Sequence, residues 1–292
     1  MPFSKRQAKA WVLVLTARKI PCQQRPLSDG FLLLVPCHFL ETAREQIALY
    51  QQENRNWPPA LPHREPLYEN QPATLFVFIL LSGFAYSTVL ASTVTGWPQL
   101  DWLQRGSAQA GLIIAGEWWR TATALTLHSG GLHLAGNVIF GILIIGRLAS
   151  DLGSGLAWAL VLLAGMGGNA INALLQSPEH TAIGASTAIF GAVGLIAGLN
   201  LVRYRKPLWR RWALPLAGAF GLLAMLGASG ERTDLGAHLF GLLVGVGLGT
   251  VCAVWMLRKG RPGRLLNRAL ALLPILVMIW AWLAAFQGAS PA

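Results

Sequence analysis

From Pro72 onward the chain alternates between long apolar stretches and short polar or basic ones. Seven stretches stand out, at residues 73–94, 131–149, 155–176, 184–201, 211–229, 235–257 and 268–287. A hydrocarbon core of ~30 Å needs about 20 helical residues at ~1.5 Å each, so each stretch is expected to be a membrane span. Several are rich in glycine, which suits close helix packing in lipid. The connection Thr95–Gly130 carries Trp97, Trp102, Trp118 and Trp119, residues that favour a membrane interface, and is expected to be partly embedded. Residues 1–58 read differently. Trp11–Ala17 and Gly30–Val35 are short β-prone runs, and Phe39–Glu53 places Leu40, Ala43, Ile47 and Tyr50 at helical spacing. The expected organisation is a small α+β domain (1–58), a Pro-rich linker (59–71), a six-span core (72–257), and a basic loop with a seventh span (258–292). The fold class is thus an all-α polytopic membrane protein preceded by a small soluble domain. The start of the chain does not read as a signal peptide: Lys5, Arg6 and Lys9 precede only seven apolar residues, then come Arg18 and Lys19 and no small-residue cleavage site.

Composition supports this picture. Of 292 residues, 54% are hydrophobic and only 12% charged, against roughly 25% charged in soluble domains. Mean hydropathy is +0.49. These values exclude disorder, and three cysteines (Cys22, Cys37, Cys252) exclude a disulfide scaffold. The net charge of +11 would suit a nucleic-acid binder only on a far less apolar chain. Sorted by topology with the N-terminus inside, 20 of the 23 Lys and Arg fall on cytoplasmic segments, leaving Arg105, Arg120 and Arg232 outside. The positive-inside rule therefore places the N-terminal domain in the cytoplasm, and the charge marks orientation beside a lipid bilayer rather than a nucleic-acid partner. Cys22 and Cys37 then face a reducing compartment. The absence of an internal repeat speaks against an inverted-repeat transporter.

Polar groups within spans are costly and mark candidate chemistry. Ser186 lies among small residues (Gly184-Ala185-Ser186-Thr187-Ala188), a pattern that suits an accessible hydroxyl and equally a packing serine. His238 sits beside a smooth face of Ala237, Gly241, Gly245 and Gly249, and suits a base or a structural hydrogen-bonder. Both residues open spans that enter from the outer side, so they share a depth. A neutral histidine beside a serine hydroxyl can take its proton and activate it. His133 and Asn137, four apart on the second span, reach the same level and could stabilise an oxyanion. Asp234 fits a helix cap, or a third member that orients His238. His180, in a short loop, is expected to face solvent. No HExxH motif occurs and no carboxylate joins the histidines, so no metal or other cofactor is expected.

These pieces together resemble the rhomboid family of intramembrane serine proteases. The matching residues are Trp119-Arg120, His128-xxxx-His133-xxx-Asn137, Gly184-x-Ser186 and Ala237-His238-xx-Gly241, in order and correctly placed against the spans. The resemblance covers about residues 70–257, with the last span as a six-plus-one addition, and the stretch Ser28–Pro36 (SDGFLLLVP) resembles the small cytosolic domain found ahead of some bacterial members. It implies a rhomboid-like helical bundle with Ser186 as nucleophile and His238 as base. His133, Asn137 and the Ser186 N–H would form the oxyanion hole. Phe190 would stack on the catalytic histidine, Trp119 and Arg120 would anchor the interfacial loop, and His128 would be structural. It further implies single-pass transmembrane substrates and an active site open to the outer face of a bacterial inner membrane. Thr187 stands where the family commonly has glycine, and is expected to crowd the oxyanion pocket or narrow substrate choice. The rival readings are an inactive relative that escorts membrane proteins, and a transporter.

Overall fold

The computed structural model describes residues 3–27, 30–55, 71–94, 101–203 and 234–288. It divides into two compact units, residues 1–65 and 66–292. The apolar stretch expected as a span at 211–229 lies outside the described residues, as do most of the Pro-rich linker and Arg232.

The first unit is built from α1 (Lys5–Ala17), a hairpin of β1 (Gln23–Leu27) and β2 (Gly30–Leu34), and α2 (Leu40–Glu53). The strands are antiparallel, pairing Gln23 with Leu34 through to Leu27 with Gly30. Trp11–Ala17, expected as a strand, is helical. Ser4 and Gln7 form a reciprocal capping box that starts α1. Ala8, Trp11 and Leu15 then fall on one buried face, a helical period longer than the seven-residue window that suggested β structure. Leu15, Ile20 and Ala43 form the core, with Cys22, Val35, Phe39 and Ile47 against it. The strand at Gln23–Leu27 went unread because QQRPL carries neither apolar alternation nor β-branched residues.

The second unit is a polytopic helical bundle. Its long helices are α3 (Gln71–Val94), α7 (Gly131–Leu152), α8 (Ser154–Leu175), α9 (Ser186–Arg203), α10 (Leu235–Lys259) and α11 (Arg264–Gln287). The last five are each long and apolar enough to cross a membrane, and α3 carries a shorter apolar stretch, Pro72–Thr88. Helix α9 is central: 61% of its most apolar window is buried, against 11% for α11. Phe190, Ile189, Leu195 and Leu199 of α9 meet Ile145, Leu148 and Leu152 of α7 and Val161 of α8 in the core. Between α3 and α7 lies a folded segment of α4 (Trp102–Gly106), β3 (Ala108–Gln109), α5 (Ala110–Ile114) and α6 (Arg120–Thr123). Strand β3 pairs antiparallel with β4 (Thr181–Ala182), just ahead of Ser186.

Helices α9 and α10 touch backbone to backbone. A Cβ on Gly241, Gly245 or Gly249 would run into the carbonyl oxygens of Thr187, Gly191 and Leu195 respectively. In return, a Cβ on Gly194 or Gly198 would strike Leu242 and Val246 of α10. Helix α11 is held by Asn267, whose amide donates to the Leu152 carbonyl and accepts from the Leu156 N–H, both at 3.1 Å. That link fixes the α7–α8 turn, where Gly153 adopts φ +85°, a conformation L side chains avoid.

Gly245→Ala is expected to force α9 and α10 apart at a cost of at least about 1–3 kcal/mol, the usual penalty for overpacking. Thermal unfolding of the purified protein in mild detergent measures this, and an unchanged midpoint would remove the contact as a constraint.

Candidate active site

Ser186 is the first residue of α9, and its hydroxyl lies 2.6 Å from Nε2 of His238 in the first turn of α10. Both side chains are buried, at 4% and 3% exposure. Residues 52 apart in sequence meet because the glycine seam holds the two helix ends together. Phe190, one turn along α9, stacks on the His238 ring at 4.5 Å between centroids and 20° between planes. The other ring nitrogen, Nδ1 of His238, is buried and has no hydrogen-bond partner among the described residues.

His133 lies in the first turn of α7. A Cβ on Gly184 would lie 2.8 Å from His133 Nε2 and 3.4 Å from Ser186 Oγ, so this glycine separates the two side chains and leaves room between them. Gly184 has φ +125°, and its N–H is tied to the Ala124 carbonyl at 2.9 Å. On its far side, His133 Nδ1 meets Ser129 Oγ at 3.1 Å. Asn137 is fully buried; its amide donates to the His133 carbonyl at 3.1 Å, while its Oδ1 has no partner among the described residues. An amide nitrogen carries two hydrogens, so one donor remains for a ligand. The first N–H groups of α9, including that of Ser186, have no acceptor within the helix.

His128 packs edge-on to His133 at 5.2 Å. Arg120 is buried in the interfacial segment, with Nε 2.6 Å from Glu117 and its guanidinium donating to the carbonyls of Gln104 and Ser107. Trp119 packs against Trp118 and close to Gly288 at the end of α11. Neither residue is among the described contacts of Ser186 or His238. Gly241 lies against Thr187.

The structure also places Thr187, Asp234 and His180. The Thr187 methyl lies where α8, α9 and α10 meet. It packs 2.8 Å from the position of a Cβ on Gly168 of α8, and 3.1 Å from one on Gly241, filling the helix seam. The Asp234 carboxylate makes no hydrogen bond to the His238 ring; it caps α10 by accepting the Ala237 N–H at 3.0 Å, the first of its two readings. His180 does not simply face solvent: its Nε2 lies 2.7 Å from the Asp234 carboxylate. No group of three or more metal-ligating side chains is found among the described residues.

A family model described as Rhomboid domain matches residues 115–255. The chain is 32% identical over 184 residues to the "Putative rhomboid protease YdcA" of Bacillus subtilis, covering 62% of this chain and 83% of that protein. It is 29% identical over 177 residues to "RHOMBOID-like protein 5" of Arabidopsis thaliana, covering 60% and 57%. It is also 31% identical over 173 residues to the "Rhomboid protease GluP" of Bacillus subtilis, covering 59% and 33%. The chain thus spans little more than half of the Arabidopsis relative and a third of the second Bacillus one.

Outside the spans, burial pushes the pKa of His128 down from 6.5 to about 4; the neighbouring His133 adds to the shift, and the Thr126 backbone opposes it. Between those values the unfolded chain binds a proton that the folded chain refuses. The contribution to stability is therefore complete above pH 6.5 and lost as pH falls toward 4. Thermal midpoints measured from about pH 7 to about pH 4.5 are expected to fall, and to fall less in His128→Gln. Equal falls in both proteins would exclude His128 as the cause.

Proposed function

The chain belongs to the rhomboid family, and on that premise we propose that it is an intramembrane serine endopeptidase. It is an integral membrane protein. The observation that carries the reading is the buried 2.6 Å contact between Ser186 Oγ and His238 Nε2, with Phe190 stacked on the imidazole.

In this mechanism the neutral His238 accepts the Ser186 proton at Nε2 while Oγ attacks the scissile carbonyl carbon. The carbonyl oxygen becomes an oxyanion, held by His133 Nε2–H, the free amide hydrogen of Asn137 and the Ser186 N–H. Collapse of the tetrahedral species breaks the C–N bond, and His238 passes its proton to the leaving amine. A water then repeats the sequence on the acyl-serine, releasing the new carboxyl end and restoring the dyad. Gly184 leaves the oxyanion space open and Gly241 sets the helix spacing. Trp119 and Arg120 hold the interfacial segment, and His128 supports His133. No cofactor enters the scheme.

The proposed substrates are single-pass transmembrane proteins cut within or beside the membrane segment. The proposed orientation has the N-terminal domain in the cytoplasm and the site open to the outer face, supported by the distribution of Lys and Arg. A bacterial inner membrane is the setting this reading favours. The proposed architecture keeps the divisions 1–58, 59–71, 72–257 and 258–292.

Ser186→Ala and His238→Ala are each expected to lower cleavage of a model transmembrane substrate by at least about 10³-fold. Both should also abolish labelling by a fluorophosphonate probe. His133→Ala is expected to cost about 10²–10³ in kcat. Wild-type cleavage by Ser186→Ala would refute the serine-protease reading. A wild-type protein that binds transmembrane segments, cleaves none and is not labelled would favour an escort role instead, and solute flux in proteoliposomes would favour a transporter.

A further inference from the structure

A second set of polar groups surrounds Asp234, and the mechanism does not use it. The carboxylate is 8% exposed. Its Oδ1 accepts the Ala237 N–H of α10, and its Oδ2 accepts from His180 Nε2 at 2.7 Å and from the Asn172 amide of α8. The Asp234 carbonyl also accepts the N–H of His238 at 3.2 Å. The first turn of the helix that carries His238 is thus gripped at its cap by side chain and main chain together.

The other partner, His180, belongs to the segment that leads into Ser186. That segment is itself anchored. The His180 carbonyl accepts from the Ala110 N–H at 2.9 Å, Thr181 and Ala182 pair with β3, and the Gly184 N–H bonds the Ala124 carbonyl. The His180–Asp234 contact therefore joins the entry to the serine's helix with the cap of the histidine's helix. On the other side of the dyad, the glycine seam starts at Thr187 and Gly241. Ser186 and His238 are bracketed by backbone packing on one side and by this polar contact on the other. Helix ends fray unless their orphan N–H groups are held, and here the end in question carries His238.

We propose that His180 and Asp234 act as a positioning clasp, holding the first turn of α10 so that His238 stays within hydrogen-bond reach of Ser186. Asn172 is its third arm, itself braced by Gln176. His180 and Asp234 touch neither substrate nor the reacting atoms; they act through His238. The clasp rests on the protease reading, so its test has one readout that needs turnover and one that does not.

The full-length protein in proteoliposomes is compared with His180→Ala, His180→Gln, Asp234→Ala and the His180→Ala/Asp234→Ala double variant. Amide hydrogen exchange of residues 235–240 and the kcat and KM for a model transmembrane substrate are measured. His180→Ala is expected to speed exchange and to lower kcat by about tenfold each, a misplacement effect. KM should stay within about twofold of wild type, because the effect is on the chemical step. His180→Gln, whose amide still donates to the carboxylate, should recover most of both losses. The double variant should be no worse than Asp234→Ala alone, as expected for partners in one contact. Wild-type exchange in His180→Ala would overturn the clasp, and so would faster exchange with unchanged kcat. His180→Ala leaves the Asp234 cap in place, so it remains informative if Asp234→Ala fails to fold. A wild type that neither cleaves substrate nor reacts with a fluorophosphonate would remove the protease reading, leaving hydrogen exchange to decide the clasp.

Discussion

The contact on which the rest depends is the backbone-to-backbone approach of α9 and α10. In lipid there is no hydrophobic drive to bring two apolar helices together, so association rests on close packing. Glycines on both helices supply it, and their spacing does more than permit proximity. Gly241, Gly245 and Gly249 step by four residues past Thr187, Gly191 and Leu195, which also step by four. A slip of one residue would drive side chains into main chain along the whole seam. The register is therefore locked, and with it the separation of Ser186 and His238 at the end of the seam.

A second constraint comes from the bilayer, which cannot satisfy free backbone polar groups. Among the described residues, the segment between α3 and α7 holds short helices and the two-residue strand β3, so side chains take up many of its carbonyls. Arg120 serves Gln104 and Ser107, Thr123 serves Gly106, and Asn169 of α8 serves Thr121. Strand pairing of β3 with β4 serves the stretch next to the serine. The polar residues of this region thus do structural work that also fixes the approach to the site. Aromatic contacts add to it: Phe84, Trp102, Trp282 and Phe286 cluster between α3, α4 and α11, with centroids 5.2–5.9 Å apart.

What could be read from the sequence follows from the range of each interaction. Apolar runs of span length are local, so the six long helices described for the bundle were legible, as were the small-residue face of α10 and the pairing of Ser186 with His238. Asp234 as a cap was also legible, since a cap acts within one turn. The α1 helix was misread although Ser4 and Gln7 spell its capping box, because a seven-residue window cannot separate a strand from one face of a helix. His180 was beyond reach: its partner is 54 residues away, and nothing near it in sequence announces the contact. The direction of Thr187 was equally hidden, because it depends on Gly168 of a third helix making room.

These particulars bear on why two residues would suffice for the proposed chemistry. Nδ1 of His238 has no acceptor among the described residues, and the nearest capping carboxylate, that of Asp234, is occupied by Ala237, Asn172 and His180. The imidazole is therefore oriented by packing rather than by a carboxylate. Phe190 covers one face of the ring at 4.5 Å, and the side chain is almost wholly buried. An aromatic face attracts a cation more than a neutral ring. In the proposed reaction His238 is charged only while it holds the serine proton, so this attraction acts in the transition state and not before it, which is the condition for lowering a barrier. A second carboxylate placed at Nδ1 would add to that stabilisation, but it would have to be buried as a charge within the apolar bundle throughout the resting state. A stacked ring avoids that resting cost and still favours the charged form when it appears.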